Sequence, residues 1–393
     1  MITIDKIRHA AEVLSSVVRR TDLIRAPRIN CESEVYLKTE NLQVTGSFKV
    51  RGAYYKVSQL TDEEKSRGVI ACSAGNHAQG VALGATKNGI KSLICLPAGA
   101  PISKIEATKR LGAEVCLVNG VYDDAYAKAI ELKEKHGYTF VHPFDDELVI
   151  AGQGTIGLEI FEQLPDVEAV IVPIGGGGLI SGVAVALKTL RPDIKVYGVQ
   201  AAGAPSMEVS VRENKIIRLP SVSTIADGIA VKEPGVNTFE YCKKYVDEIV
   251  SITDDEVSSA ILALIEQHKI IAEGAGAIAV AAAMLNKFPI KGKKTVCLVS
   301  GGNVDVPILS RVVKNGLVHD GRSYLLRVEL PNRPGKLRAI LAEVAELGAN
   351  VLKVKLKDSS ANGGYVELRL ETRNHDHIQE IVATMVEKGY TLL

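Results

Sequence analysis

Short apolar runs rich in β-branched residues recur between residues 68 and 300, with amphipathic stretches between them. The runs fall at 68–72, 92–96, 114–118, 169–174, 195–200 and 295–300. Each is close to uniformly apolar instead of alternating, as suits a strand buried on both faces. The intervening stretches, such as 122–136 and 179–191, have the helical period. Parallel neighbours need crossover connections, so this alternation predicts an α/β fold with largely parallel sheets clothed in helices. There are too many runs for one small sheet, and two sheets are expected.

The pattern changes at 314–322, a polar, glycine-containing segment that reads as a linker. Beyond it the spacing predicts a strand at 323–330, then a helix at 334–347 that starts after Asn332 and stops at Gly348. A strand at 351–357, a turn at 359–364 and a strand at 365–371 follow. A helix at 377–388, ended by Gly389, and a short strand at 390–393 complete a βαββαβ order, the ferredoxin-like arrangement.

Composition narrows the partners. The net charge is +1 and aromatic residues make up 5% of the chain, with no tryptophan. Neither a basic footprint nor a stacking surface for nucleic acid is expected. No run of 18 apolar residues occurs, and Asp5, Lys6 and Arg8 interrupt the first residues, so neither a membrane span nor a signal peptide is expected. The six cysteines are scattered with no C-x-x-C pair, which fits a reducing cytoplasm. Small molecules remain as the expected partners.

Three glycine-containing loops follow predicted strands. Gly175, Gly176, Gly177 and Gly178 precede Leu179 and a helix. Such a run lets backbone amides converge where a helix N-terminus adds positive potential, and phosphate is the usual occupant. Four glycines cost more chain entropy than a mere turn needs. The second loop spans 73–80 and carries Asn76 and His77; by itself it reads equally well as a cap. The third, 299–303, places Ser300 at a strand end, where open α/β sheets bind ligands. Lys49 sits near a helix start between Phe48 and Val50. Most lysines are solvated surface residues, but a desolvated one gains a depressed pKa and attacks carbonyls.

Taken together, Ser-Phe-Lys-Val-Arg-Gly-Ala from residue 47, Ser-Ala-Gly-Asn-His-Ala-Gln-Gly from 73, the glycine run at 175, Thr-Ile-Ala-Asp-Gly from 224 and Ser-Gly-Gly-Asn from 300 resemble one family. It is the threonine dehydratase and serine racemase branch of the fold-type II pyridoxal-phosphate enzymes. The C-terminal stretch resembles an ACT domain. The resemblance implies a large domain of residues 1–46 and 147–313, a small α/β domain of 47–146 and an ACT-like domain of 323–393. It makes Lys49 the Schiff-base lysine, with Phe48 packed near the cofactor ring. Asn76 is matched to the cofactor's phenolic oxygen. Gly175 to Gly178, with the Leu179 amide, form the phosphate cup, and Ser300 faces the pyridine nitrogen. Ser73, Ala74, Gly75, Asn76 and His77 form the loop that grips the substrate carboxylate. The implied activity is elimination of the β-hydroxyl of threonine, and of serine, yielding a 2-oxo acid and ammonia. Asn332, Pro334 and Gly335 are the implied effector loop, for isoleucine or valine, in a homotetramer.

Two positions depart from relatives. Racemases carry a serine at the position of Ala74, which has no transferable proton, so elimination with little racemisation is expected. Ser223 stands just before the Thr224–Gly228 motif, where some relatives carry a carboxylate. A divalent metal is therefore not expected; a monovalent cation is the alternative. Glu273 reads equally well as a cleft residue near the leaving hydroxyl and as a helix-start carboxylate. The rival functions are a serine racemase or serine dehydratase, and an inactive amino-acid sensor; the intact Lys49, Asn76, glycine run and Ser300 speak against the sensor. Thr61 and Glu64 have capping-box spacing. His375 and His377 lie in a charged turn with no third ligand, and no metal is expected there.

Overall fold

The computed structural model describes residues 1–360 and 363–393, and the side chains of these except 358–360 and 363. They form two compact units, Met1–Val306 and Pro307–Leu393.

The first unit holds two sheets. In the six-stranded sheet the order is Leu23–Arg25, Glu34–Lys38, Lys294–Leu298, Ala169–Pro173, Lys195–Ala201, Glu248–Ile252. Only the edge pair formed by the first two strands is antiparallel. The second sheet has the order Glu114–Val118, Ser92–Pro97, Val69–Cys72, Thr139–Phe140 and is wholly parallel. Its strands come from within 47–146, and those of the six-stranded sheet from outside that range. The strands Ala169–Pro173 and Val69–Cys72 are buried at every position, as a sheet covered on both faces requires.

Glycines allow a close helix crossing. The helices Lys49–Ser58 and Glu147–Gln163 meet at Gly52 and Gly152, where a Cβ on Gly152 would stand 2.6 Å from Gly52 Cα. The expected capping box is present: Thr61 Oγ1 accepts from the Glu64 amide, and Glu64 accepts from the Thr61 amide at 2.8 Å.

In the second unit the sheet order is Ser323–Pro331, Gly363–Glu371, Asn350–Ser360, all antiparallel. The helices Lys336–Glu346 and His375–Glu387 complete it around Leu326, Val328, Ile340, Leu368 and Ile381. Three expectations shift. The helix Val306–His319 runs through the first six residues of the expected linker, leaving 320–322 as the connection; its apolar periodicity outlasts the polar local composition. The helix expected at 334 starts at Lys336, because Gly335 adopts φ +83° as the cap. The last strand is a single bridge, Leu392 to Val328, since the three residues after Tyr390 leave little length to pair. Of the turn expected at 359–364, residues 361–362 lie outside the described residues, and the rest belongs to the strands Asn350–Ser360 and Gly363–Glu371, which run longer than expected. His375 and His377, expected in a turn, instead open the helix His375–Glu387 because Asn374 caps it, and their rings are engaged by the carbonyls of His319 and Leu347 at 2.7 and 2.9 Å. No helix among the described residues is long and apolar enough to cross a membrane.

Candidate active site

Lys49 opens the helix Lys49–Ser58, with Phe48 as its N-cap. The Phe48 amide donates to the Ser300 carbonyl at 3.1 Å, and Ser47 bridges to Gly301. The end of the strand Lys294–Leu298 therefore places Ser300 and Lys49 side by side. Lys49 Nζ donates to the Pro143 carbonyl at 2.7 Å and lies 5.3 Å from the centroid of the Phe48 ring. Burial of the amine lowers its pKa to about 8, against the opposing pull of Glu273.

The glycine run begins one residue after the strand Ala169–Pro173 and leads into the helix Gly178–Leu190. Gly177 turns the chain at φ +95°, a conformation that glycine adopts without strain. The run is also a close-packed seat. A Cβ on Gly176 would meet the Phe144 ring at 2.3 Å, and one on Gly178 would meet the Phe144 carbonyl oxygen at 2.7 Å. Phe144 follows Pro143, whose carbonyl holds the Lys49 amine. The amine and the glycine run are thus joined through two consecutive residues. Thr238 Oγ1 donates to the Gly176 carbonyl, fixing the loop from its other side.

Sequence reasoning missed this connecting segment, in which each residue has a task. His142 Nδ1 accepts from the amides of Phe144 and Asp145 at 3.3 and 2.8 Å. Asp145 accepts from the amides of Val236, Asn237 and Thr238. Asp146 caps the helix Glu147–Gln163 through Leu148 and Val149. Two acids before a helical stretch are a cap signal, but nothing in the spacing ties them to Lys49.

The loop 73–80 leads from the strand Val69–Cys72 into the helix Asn76–Lys87, with Gly75 as cap. Ser73 Oγ accepts from the Gly75 amide at 3.2 Å, and Ala74 is half-buried. Asn76 Nδ2 donates to Glu273 Oε1 at 2.6 Å, and its Oδ1 accepts from Asn303 Nδ2 at 2.8 Å. His77 is buried, with Nε2 paired to the Val141 carbonyl at 2.8 Å. Desolvation first, and the Lys49 charge second, push its pKa to about 3, so the ring is neutral and Nε2 donates. Its ring is thus engaged behind the loop instead of standing beside Asn76. Ser300 is buried, and its hydroxyl donates to the Ala275 carbonyl at 3.1 Å.

Glu273 resolves an ambiguity. It is the N-cap residue of the helix Gly274–Met284, yet its side chain makes no capping bond and turns to Asn76. Burial, followed by the Asp227 charge, raises its pKa to about 7. A Cβ on Gly301 would stand 2.4 Å from Glu273 Oε1 and would displace that carboxyl. Lys104 pairs with Asp227 at 2.9 Å nearby, a contact the sequence did not signal. Among the described residues no cluster of three or more His, Cys, Asp or Glu is placed to hold a metal ion.

A half-buried lysine with a depressed pKa, joined to a glycine-lined helix N-terminus, defines an α/β enzyme that takes a phosphorylated aldehyde as cofactor. The amine suits a carbonyl. The first-turn amides of the helix Gly178–Leu190 have no intrahelical acceptor and suit a phosphate. The chain belongs to the pyridoxal-phosphate dependent enzyme family, whose model matches residues 14–302. It is 52% identical to the L-threonine ammonia-lyase of Thermotoga maritima over 99% of this chain and 98% of that protein. Among solved structures, the processed threonine deaminase isoform 2 of Solanum lycopersicum superposes with a TM-score of 0.76 at 39% identity, covering 81% of this chain and 90% of that one. Maize serine racemase also gives 0.76, at 35% identity, covering 81% and 98%. Fold alone therefore does not separate elimination from racemisation.

Proposed function

We propose that this chain eliminates the β-hydroxyl of L-threonine, giving 2-oxobutanoate and ammonia, and converts L-serine to pyruvate by the same route. The observation that carries this is the Lys49 amine, desolvated and held at Pro143 beside the glycine run. The near full-length likeness to an L-threonine ammonia-lyase supports the choice of substrate.

Pyridoxal phosphate, when bound, supplies a sink for the negative charge that develops at the substrate α-carbon. Gly175 to Gly178 and the Leu179 amide would hold its phosphate, Lys49 would link its aldehyde, Phe48 would pack near its ring, and Ser300 would serve its ring nitrogen. Asn76 would orient the ring oxygen, and the segment from Ser73 to His77 would receive the substrate carboxylate on its backbone and on the side chains of Ser73 and Asn76, the His77 ring being engaged with the Val141 carbonyl. The amine of Lys49, once free, accepts the α-proton; its lowered pKa leaves a useful neutral fraction near pH 8. Glu273 holds a proton below about pH 7 and is the group we assign to protonate the leaving hydroxyl. The departing water carries that proton, and hydrolysis of the remaining enamine returns water to the balance.

Ala74 supports elimination over racemisation, because a methyl group cannot return a proton to the second face of Cα. L-serine assayed for both pyruvate and D-serine decides this: pyruvate in large excess is expected, and comparable D-serine overturns the reading. For the second unit we propose an ACT-like role, binding isoleucine or valine through the exposed loop of Asn332, Pro334 and Gly335 in an assembly of four copies. The support is its ferredoxin-like strand order and the exposure of that loop.

A further inference from the structure

Behind Lys49 lies a buried group of charges that the chemistry above does not use. Lys38, Glu40 and Arg51 are fully buried, and Glu159 is 15% exposed. Arg51 Nε and Nη2 hold the two oxygens of Glu40 at 2.8 Å each. Its Nη1 and Nη2 hold the two oxygens of Glu159 at 2.6 and 3.0 Å, and Nη1 also reaches Thr155 Oγ1 at 3.1 Å. Lys38 Nζ completes the group through Glu159 Oε2 at 2.6 Å and Gln163 Oε1 at 2.9 Å. Two positive charges face two negative ones.

Such a group is a poor source of stability, because well-packed apolar residues of the same volume often serve as well or better. What it does supply is orientation. A guanidinium gripped on two edges by carboxylates is fixed in plane and in rotation. Arg51 lies two residues beyond Lys49 on the same helix, about 200° around its axis. The two side chains therefore leave the helix on nearly opposite sides. Glu40 belongs to the turn Glu40–Leu42 that follows a strand of the six-stranded sheet, and Glu159 to the helix Glu147–Gln163. The Gly52–Gly152 contact sets which face of the helix meets Glu147–Gln163, because a Cβ on either glycine would clash, and the Arg51 fork adds a directional hold on the opposite side from Lys49.

We infer that Arg51 is a positioning residue for Lys49: held between Glu40 and Glu159, it fixes the rotation of the helix so that the Lys49 amine is delivered to Pro143 and the glycine run. This rests on the reading of Lys49 as the cofactor-linking lysine. The test compares full-length Arg51→Met, Arg51→Lys and Lys38→Met, loaded with cofactor and assayed well below their melting temperatures. Lys38→Met disrupts the same buried group without altering the Lys49 helix. The readouts are the long-wavelength absorbance of the lysine-linked cofactor, kcat and KM for L-threonine. Arg51→Met is expected to shift or weaken the absorbance and lower kcat about a hundredfold, the scale of a misplacement near 1 Å, while KM moves little. Arg51→Lys, which keeps the charge and loses the fork, is expected to show the same defect more mildly, and Lys38→Met to keep the wild-type absorbance. If Arg51→Met does not fold, Arg51→Lys is compared with Lys38→Met alone. Equal absorbance and equal kcat in the Arg51 and Lys38 variants overturn the inference. Should Lys49→Ala retain the wild-type absorbance, the assignment of Lys49 itself fails, which is a different outcome.

Discussion

Asn76 Nδ2 donates to Glu273 Oε1 at 2.6 Å, joining the first residue of one helix to the cap residue of another. The bond holds a buried carboxyl whose charge is felt by Lys49. Glu273 is raised to about 7, by burial first and by Asp227 second. In the unfolded chain it would titrate near 4.5. Its protonated form is thus favoured by folding: the associated stability is complete below about pH 4.5 and is lost as pH rises through about 7. A shift of that size corresponds to a cost on the order of 3 kcal/mol at pH 8. Glu273→Gln, without cofactor, is expected to be more stable than wild type at pH 8 and no more stable at pH 4.5. Denaturation curves at the two pH values check this; a difference that does not change with pH would contradict it.

Lys49 is lowered to about 8 by burial. Only its neutral form attacks an aldehyde. The rate of cofactor uptake into cofactor-free protein is expected to rise with pH through about 8 and then level. Lys49→Ala should abolish the long-wavelength absorbance and lower turnover of L-threonine by at least about 10³-fold. Stopped-flow absorbance and a 2-oxobutanoate assay measure both.

Gly176 has no room for a methyl group against Phe144. Gly176→Ala is expected to cost about 2 kcal/mol by overpacking and to weaken cofactor binding. In Phe144→Ala the same change should cost less, because the clashing ring is gone. The double-variant cycle reads the coupling, and additive effects would show that the ring does not seat the glycine run.

Removal of residues 323–393 takes away the sheet and both helices of the second unit after its first helix. Turnover of L-threonine should persist, while any change in its rate with isoleucine or valine should vanish. Assays with and without each amino acid test this. An undiminished response would place the effector site in the first unit.

Much of the fold was legible in the chain because its strands are buried on both faces and therefore read as uniform apolar runs. Val69–Cys72 and Ala169–Pro173 are examples, and the glycine run announced its own loop. Lys49 was a candidate from Phe48 and Val50 beside it, and the ordered motifs made it the leading one. The 142–146 segment gave only a cap signal, since the contacts that tie it to Lys49, the glycine run and Val236–Thr238 join residues far apart along the chain. Arg51 and Glu40 were silent: charges look like surface residues until folding surrounds them. The boundaries at Lys336 and His319 moved because a cap angle and a helical face outweighed local polarity.

The sequence by itself determined the alternation of strand and helix, the two kinds of unit, and the residue types able to grip a phosphate and a carbonyl. Local periodicity and backbone freedom settle those matters within a few residues. Tertiary structure alone decided that Pro143 receives the Lys49 amine, that Phe144 fills the glycine seat, and that Asn76 turns Glu273 away from its cap. Desolvation and hydrogen-bond partners depend on distant segments meeting, and no window along the chain contains both members of such a pair.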